Sequence, residues 1–144
     1  MAEAQISEKF NCTAEEFFAI VTDFEKYPEF LPEMKSVKML KKSKKEKEME
    51  FAVSVIKTIK YQIKATEKSP NEVDFYFTQG EVFKTMSGSW RIKDLAGGKC
   101  KVDYKIEATF GLLVPNAIAK TLVSVNMPAM MVNFKKRVKE LYGK

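Results

Sequence analysis

The chain has 144 residues, the length of one compact domain, which we expect to span residues 1–144. Histidine is absent, which excludes it as general base, as partner of a nucleophile and as metal ligand. Lysine and arginine number 25 against 19 acidic residues. Cys12 and Cys100 have no metal-binding spacing. We therefore expect no metal site and no resident cofactor.

The beginning of the chain predicts one strand followed by two short helices. A strand is expected over residues 4–10. Thr13 and Glu16 then form a capping box, which marks the start of a helix. Residues 23–32 contain Pro28 and Pro32, which restrict the segment to a turn-sized helical piece.

From Met34 onwards, apolar and polar residues alternate, which is typical of β-strands. Short turns join six such runs, so we predict an antiparallel sheet. Gly97 and Gly98 close one hairpin, since both can adopt positive φ. Gly88 interrupts a strand, which indicates a bend or a close approach of another group.

The end of the chain has helical periodicity over residues 115–142. Pro115 suits the first helical position, and Pro128 lies inside the pattern, where we expect it to kink the helix. Such a helix is the one element long enough to cover the apolar face of the sheet. The predicted fold is α+β: a curved antiparallel sheet of six to seven strands wrapped around a long C-terminal helix, with two short helices after strand 1.

Three segments resemble the START-like superfamily, also called the helix-grip, SRPBCC or polyketide cyclase superfamily. Residues 23–32 read DFEKYPEFLP, residues 83–104 contain FKTMSGSWRI and GGKCKVDY, and residues 134–142 read FKKRVKELY. The last two segments are most similar to its coenzyme Q-binding and ribosome-association-toxin branch. The resemblance implies a hydrophobic ligand, such as an isoprenoid quinone, a lipid or a polyketide, between sheet and helix. Glu33 and Met34 depart from the aromatic and small polar residues that many members carry there.

The apolar faces of the sheet and the helix supply the candidate ligand-binding residues. Tyr61 and Tyr104 fall on this face, where each hydroxyl needs a hydrogen-bond partner. An apolar pocket with a few polar anchors is typical of small-molecule sites, whereas a filled core is the alternative interpretation. The candidates are Phe51, Val53, Tyr61, Ile63, Phe75, Phe77, Met86, Trp90, Tyr104, Ile106, Phe110, Met127, Met130, Met131 and Phe134.

Catalysis needs an acid or a base at such a cavity. The inward positions of the central strands hold no aspartate, glutamate or lysine, while Asp23, Glu33 and Glu81 lie near loops, from which they can approach the mouth of a pocket. We therefore expect no catalytic residue and predict that the chain is not an enzyme. A small cyclase or dehydratase is the third alternative, and it requires a titratable group inside the cavity.

The positive charge is concentrated in two segments. Residues 38–47 hold six lysines and one glutamate, and residues 135–144 hold five basic residues and one glutamate. A solvated hairpin tip is one interpretation of the first segment, and contact with an anionic membrane or the ribosome is another. No aromatic residue interrupts it, so we expect no sequence-specific nucleic acid. The basic surface candidates are Lys41, Lys42, Lys44, Lys45, Lys135 and Lys136.

The primary functional prediction is nonenzymatic binding or transport of a hydrophobic small molecule, an isoprenoid quinone or another lipid, in support of respiratory quinone use. The alternative is a module that interacts with ribosomes or another acidic partner through its basic segments. The chain shows no secretory signal, and its apolar stretches are shorter than the ~20 residues of a membrane span. We therefore expect a cytoplasmic location, with peripheral membrane contact as an option.

Overall fold

The computed structural model describes residues 2–54, 57–121 and 126–143. Its helices are α1, a 3₁₀ helix directly after it, α2 and α3. Its strands are β1 to β7, and six of them follow the 3₁₀ helix. The bounds are β1 Ala2–Phe10, α1 Ala14–Thr22, the 3₁₀ helix Phe24–Glu29, β2 Met34–Lys42, β3 Glu46–Ser54, β4 Thr58–Ser69, β5 Glu72–Gly80, β6 Phe83–Leu95, β7 Lys99–Phe110, α2 Asn116–Lys120 and α3 Asn126–Tyr142.

The seven strands form one antiparallel sheet in the order β1-β7-β6-β5-β4-β3-β2. Consecutive strands from β2 to β7 are neighbours, because short turns join them. Gly97 and Gly98 close the β6–β7 hairpin with φ of 79° and 72°, as predicted. β1 joins the far edge by pairing with β7. The predicted α+β fold, a curved antiparallel sheet with two short helices after strand 1 and a C-terminal helix, is confirmed.

The capping box at the start of α1 is also confirmed. The Thr13 hydroxyl accepts from the Glu16 N–H at 3.1 Å, and the Glu16 carboxylate accepts from the Thr13 N–H at 2.9 Å. The Asp94 carboxylate of β6 accepts from the Ala14 N–H at 2.8 Å. These bonds satisfy donors that a helix start leaves without intrahelical partners, and they attach α1 to the sheet.

The segment of residues 115–142, for which a single helix is expected, is described in two parts, α2 and α3. Pro115 precedes α2 by one residue, and residues 122–125 lie outside the described part of the chain. Pro128 is the third described residue of α3, and because the residues directly before this helix are not described, the expected kink at Pro128 stays a prediction. Among the described residues, no helix has both the length and the apolar character to cross a membrane.

One half of the space between the sheet and α3 is densely packed with aromatic rings; we call it the packed half. Phe134 of α3 is fully buried, with ring centroids 5.6 Å from Phe17 and 5.3 Å from Trp90. Phe10 of β1 lies 4.5 Å from Phe17. This cluster anchors α1 and α3 to the sheet and leaves the other half of the interface for a cavity.

Candidate functional site: an apolar cavity between sheet and helix

A cavity of about 130 Å³ lies between the sheet and α3. Most of the predicted ligand-binding residues line it. They share the inward face of alternating strand positions or the sheet-facing side of α3. These residues are Phe51, Val53, Tyr61, Ile63, Phe75, Met86, Trp90, Tyr104, Ile106, Met127 and Met130. Their part in ligand binding stays a prediction.

Four predicted residues do not line the cavity. Phe134 and Met131 belong to the packed half, where their exposed fractions are 0% and 2%. Phe77 and Phe110 lie against the ring of Phe83, with centroids 5.9 and 5.3 Å away. Periodicity identified the correct face of each element, but Phe83 lines the cavity in their place.

Six cavity residues are absent from the predicted ligand-binding set, although the sequence indicates Glu33 as a loop acid: Phe24, Tyr27, Leu31, Glu33, Met34 and Phe83. Phe24 and Tyr27 belong to the 3₁₀ helix, and Leu31 follows it, so strand alternation could not indicate them. Phe83 lies an odd number of positions from Met86, which predicts opposite faces. A register irregularity between Phe83 and Thr85 shifts the alternation and brings Phe83 to the inner face.

Gly88 of β6 lacks a side chain, which leaves space for the ring of Phe75 in the wall of the cavity. A Cβ atom at this position would overlap the ring of Phe75 and would lie 2.5 Å from the Lys105 carbonyl oxygen. The Phe75 ring stacks on Tyr104, with centroids 6.0 Å apart and an interplanar angle of 21°. The predicted close approach at Gly88 is therefore confirmed, and it fixes the position of both rings.

Three tyrosines line the cavity, and they differ in their hydrogen bonding. The Tyr27 hydroxyl donates to the Val21 carbonyl oxygen at 2.5 Å. The hydroxyls of Tyr61 and Tyr104 have no hydrogen-bond partner among the described residues. Burial raises the pKa of both groups well above the ordinary tyrosine value, so both are protonated near neutral pH. Each is a donor directed into an apolar cavity.

Glu33 is the one carboxylate among the described cavity-lining residues. It is half-buried, and its carbonyl oxygen accepts from the Ser54 N–H at 2.7 Å, which ties the segment before β2 to the end of β3. After burial, the nearby charge of Glu33 is the second cause that raises the pKa of Tyr61. Asp23 and Glu81, the other loop acids, do not line the cavity. The cavity therefore combines two hydroxyl donors with one carboxylate acceptor.

The basic surface candidates lie outside the cavity. Lys41 pairs with Glu48 at 3.9 Å, Lys42 with Glu25 at 3.3 Å and Lys135 with Glu8 at 2.9 Å. Lys44, Lys45 and Lys136 have no ion pair within the described part of the chain.

The 3₁₀ helix connects the two basic segments. Its Glu25 contacts Lys42 of the β2–β3 hairpin, and its Glu29 accepts from Arg137 of α3 at 2.9 Å. The hairpin and α3 therefore lie on either side of this helix.

A sheet that holds an apolar cavity against a C-terminal helix defines the START-like class of binding folds. Residues 11–135 match the family described as "Polyketide cyclase / dehydrase and lipid transport". The chain belongs to this family, and the predicted superfamily membership is confirmed.

Relatives and solved structures agree with this assignment. The chain is 28% identical to the ribosome association toxin RatA of Vibrio cholerae, over 99% of both chains. A START superfamily protein from Mycobacterium smegmatis superposes with a TM-score of 0.86 at 19% identity, over 96% of this chain and 98% of that one. The Zhui aromatase/cyclase from Streptomyces sp. R1128 also gives a TM-score of 0.86, at 12% identity over 96% and 94%. These similarities support a ligand-binding or ribosome-associated role in general terms.

The prediction that the chain is not an enzyme is wrong in the light of this family. The family description includes cyclases and dehydrases, and an aromatase/cyclase shares the fold. The prediction depended on the absence of histidine and of acids and lysines at inward strand positions, and it gave the loop acids Asp23, Glu33 and Glu81 no catalytic role. Glu33 enters the cavity from a loop, where strand alternation could not place it.

Proposed function

We propose that the chain binds a hydrophobic small molecule with an oxygen-bearing head in the cavity between sheet and α3. An isoprenoid quinone or another lipid is the proposed ligand class. The observation that supports it most is the pair of hydroxyls, of Tyr61 and Tyr104, that make no hydrogen bond to the described residues in a largely apolar cavity. No buried side-chain polar atom of the described residues lacks a partner, so both hydroxyl oxygens are accessible from the cavity. A ligand oxygen that accepts from them gains hydrogen bonds in a largely apolar site, which stabilises the complex.

The chemistry of the cavity favours a neutral head. The tyrosine hydroxyls donate to a carbonyl or hydroxyl oxygen, and the Glu33 carboxylate accepts from a ligand hydroxyl. A fatty-acid carboxylate next to Glu33 would bring two like charges together. We therefore expect quinones, quinols and alcohols to bind better than fatty-acid anions of the same chain length.

The size of the cavity limits how much of the ligand enters. A dry cavity of about 150 Å³ holds one benzene molecule, so about 130 Å³ accommodates a single ring. A long tail must then extend from the cavity or displace part of its wall. Residues 23–32 and residues 111–115 are the segments that we propose to move, since neither belongs to the sheet.

Native mass spectrometry of protein purified from its own cells tests this proposal, together with thermal unfolding in the presence of quinones and lipids. We expect a co-purified small molecule and a raised midpoint. Tyr104→Phe should weaken ligand binding about tenfold, because it removes one hydrogen bond inside the cavity. Tyr76→Phe is the matched control, since Tyr76 is 48% exposed on the same sheet.

A second variant separates binding from folding. Met130→Trp fills the cavity without adding charge, so it should abolish binding while the protein stays folded. A ligand-free spectrum together with an unchanged midpoint in every quinone and lipid would overturn the proposal.

Ribosome association is the second proposal, and the similarity to the Vibrio cholerae toxin favours it. The cations without ion pairs in the described residues, Lys44, Lys45 and Lys136, are the proposed contacts. Co-sedimentation with ribosomes should weaken steeply between low and high salt. Retention of full binding in Lys44→Gln/Lys45→Gln/Lys136→Gln would count against these contacts.

The proposed location is cytoplasmic, with peripheral contact to an anionic membrane. A ligand of this class partitions into bilayers, so a protein that exchanges it must approach a membrane surface.

A further inference from the structure

The turn between β7 and α2 exposes two neighbouring leucines almost completely. Leu112 and Leu113 have exposed fractions of 103% and 96%. They are the central residues of a β-turn that the Val114 N–H closes by donating to the Gly111 carbonyl oxygen at 3.1 Å. The Gly111 N–H donates to the Val82 carbonyl oxygen at 2.9 Å, which attaches the turn to the β5–β6 connection. Polar residues, glycine and proline normally occupy such positions, so an exposed leucine pair there indicates a contact surface.

The leucine turn lies at the same end of the sheet as the cavity residues Glu33 and Phe83. Phe110, directly before the turn, pairs with Phe83, which lines the cavity. Ser54, at the end of β3, pairs with Thr58 and donates to the carbonyl oxygen of Glu33. The antiparallel order therefore brings the turn and the cavity residues Phe83 and Glu33 to one end of the sheet. The hairpin of residues 41–47 lies at the opposite end.

Exposed lysines are present at the end with the leucine turn. They are Lys57 between β3 and β4, Lys60 in β4, Lys84 in β6 and Lys120 at the end of α2. None of the four has an ion pair within the described ranges. Their charges are therefore available to an external anionic surface.

Acidic side chains at this end are fewer. The exposed carboxylate of Glu81 accepts from the Lys60 N–H at 2.9 Å, and Glu33 lines the cavity. On the two edge strands, Glu3 of β1 and Lys35 of β2 contribute one charge of each sign. Glu107 of β7, which is in register with Glu3, is paired with Lys105 at 3.1 Å. An apolar tip surrounded by net positive charge matches the interface of a bilayer with anionic headgroups, which combines apolar and electrostatic attraction.

We propose that the turn of residues 111–114 docks the protein on an anionic lipid bilayer. Leu112 and Leu113 enter the acyl boundary, while the four lysines contact the headgroups. This assignment deepens the membrane contact of the proposed function, on which it rests, by naming its surface. That surface is the end of the sheet that carries Glu33 and Phe83, not the lysine hairpin, so a docked protein presents this side of the cavity to the lipid.

Sedimentation with lipid vesicles tests the docking surface. The full chain is mixed with vesicles of phosphatidylcholine alone or of phosphatidylcholine with one quarter phosphatidylglycerol. We expect binding to the anionic vesicles. We expect it to weaken about tenfold or more in Leu112→Ser/Leu113→Ser, since membrane affinity scales with the apolar area inserted. Both positions are solvent-exposed, so the thermal midpoint should not change.

The matched control changes the lysines at the opposite end. Lys44→Gln/Lys45→Gln should bind anionic vesicles within about twofold of the unaltered chain, because these residues stay distant from a bilayer docked through the leucine turn. The docking proposal is overturned if the unaltered chain does not sediment with anionic vesicles, or if the lysine variant loses binding while the leucine variant keeps it. A dimer that dissociates in the leucine variant would instead identify a second copy as the occupant of the turn.

Ligand binding provides an independent measurement. The rise in thermal midpoint on adding quinone in solution should be the same for Leu112→Ser/Leu113→Ser and the unaltered chain. If the leucine variant loses vesicle binding but keeps the rise in thermal midpoint with quinone, only the docking surface has been damaged. If quinone does not raise the midpoint of the unaltered chain, the proposal that the cavity binds quinone is contradicted.

Discussion

The interface between the sheet and α3 has two halves of similar composition and different packing. In the packed half, Phe17 and Phe134 are fully buried and in ring contact. In the cavity half, the hydroxyls of Tyr61 and Tyr104 face the cavity and make no hydrogen bond to the described residues. Aromatic residues line both halves, so composition does not distinguish a core from a binding site. The difference lies in whether a second element fills the space opposite each ring.

Phe134→Ala should give the largest effect and would break the packed half. The ring lies 5.0 to 5.6 Å from the centroids of Phe30, Trp90 and Phe17. We expect a loss of about 3–5 kcal/mol in the free energy of unfolding, measured with urea, because the deletion leaves a cavity that rigid neighbours cannot fill. A loss below about 1 kcal/mol would mean that this half is as loosely filled as the other.

The adjacent methionines of α3 provide a matched pair for the two halves. Met131 is 2% exposed in the packed half, whereas Met130 lines the cavity and is half-buried. Met131→Ala should cost about 2–5 kcal/mol of unfolding free energy, and Met130→Ala less than about 1 kcal/mol, since the latter only enlarges an existing cavity. Equal losses in parallel urea titrations would contradict the division into halves.

Gly88→Ala tests the wall of the cavity. The added methyl group would meet the Phe75 ring and the Lys105 carbonyl oxygen, and the latter is backbone that cannot rotate away. We expect a loss of about 1–3 kcal/mol in unfolding free energy, because overpacking forces side chains and backbone to shift. Displacement of the Phe75 and Tyr104 rings should also alter ligand affinity, which calorimetry measures. Gly97→Ala is not a suitable control, because φ is positive at Gly97 and alanine would be strained there. Ala119→Gly on α2 is the control, since Ala119 does not line the cavity and its substitution should leave ligand affinity unchanged.

We expect the smallest change in stability from a substitution in the 3₁₀ helix, at Glu29. The hydrogen bond from Arg137 lowers the pKa of the exposed Glu29 carboxyl below its ordinary value of 4.5. A lowered folded pKa means that the contribution to stability is present above the unfolded pKa and is lost as pH falls through the folded pKa. Glu29→Gln should therefore reduce the acid loss of stability below about pH 4.5, seen in urea midpoints at a series of pH values. If the urea midpoints below about pH 4.5 are the same with and without the substitution, solvent screens the pair of Arg137 and Glu29 completely.

Sequence patterns predicted the strands of the cavity wall better than its loops. Alternation placed Tyr61, Trp90 and Tyr104 on the inward face, and all three line the cavity. It could not place Glu33, which precedes β2, or Phe83, which reaches the inner face through a register irregularity. Both depend on where one strand ends against its neighbour, which local periodicity does not contain.

The sequence by itself determined the order of the elements, the antiparallel sheet and the apolar face, because each follows from local propensity and periodicity. The capping box of Thr13 and Glu16 and the positive φ of Gly97 are of this kind. Only the tertiary structure decided which inward residues meet a partner. Phe134 meets Phe17 across the interface, whereas Tyr104 faces a cavity, since packing depends on residues that are distant in the chain.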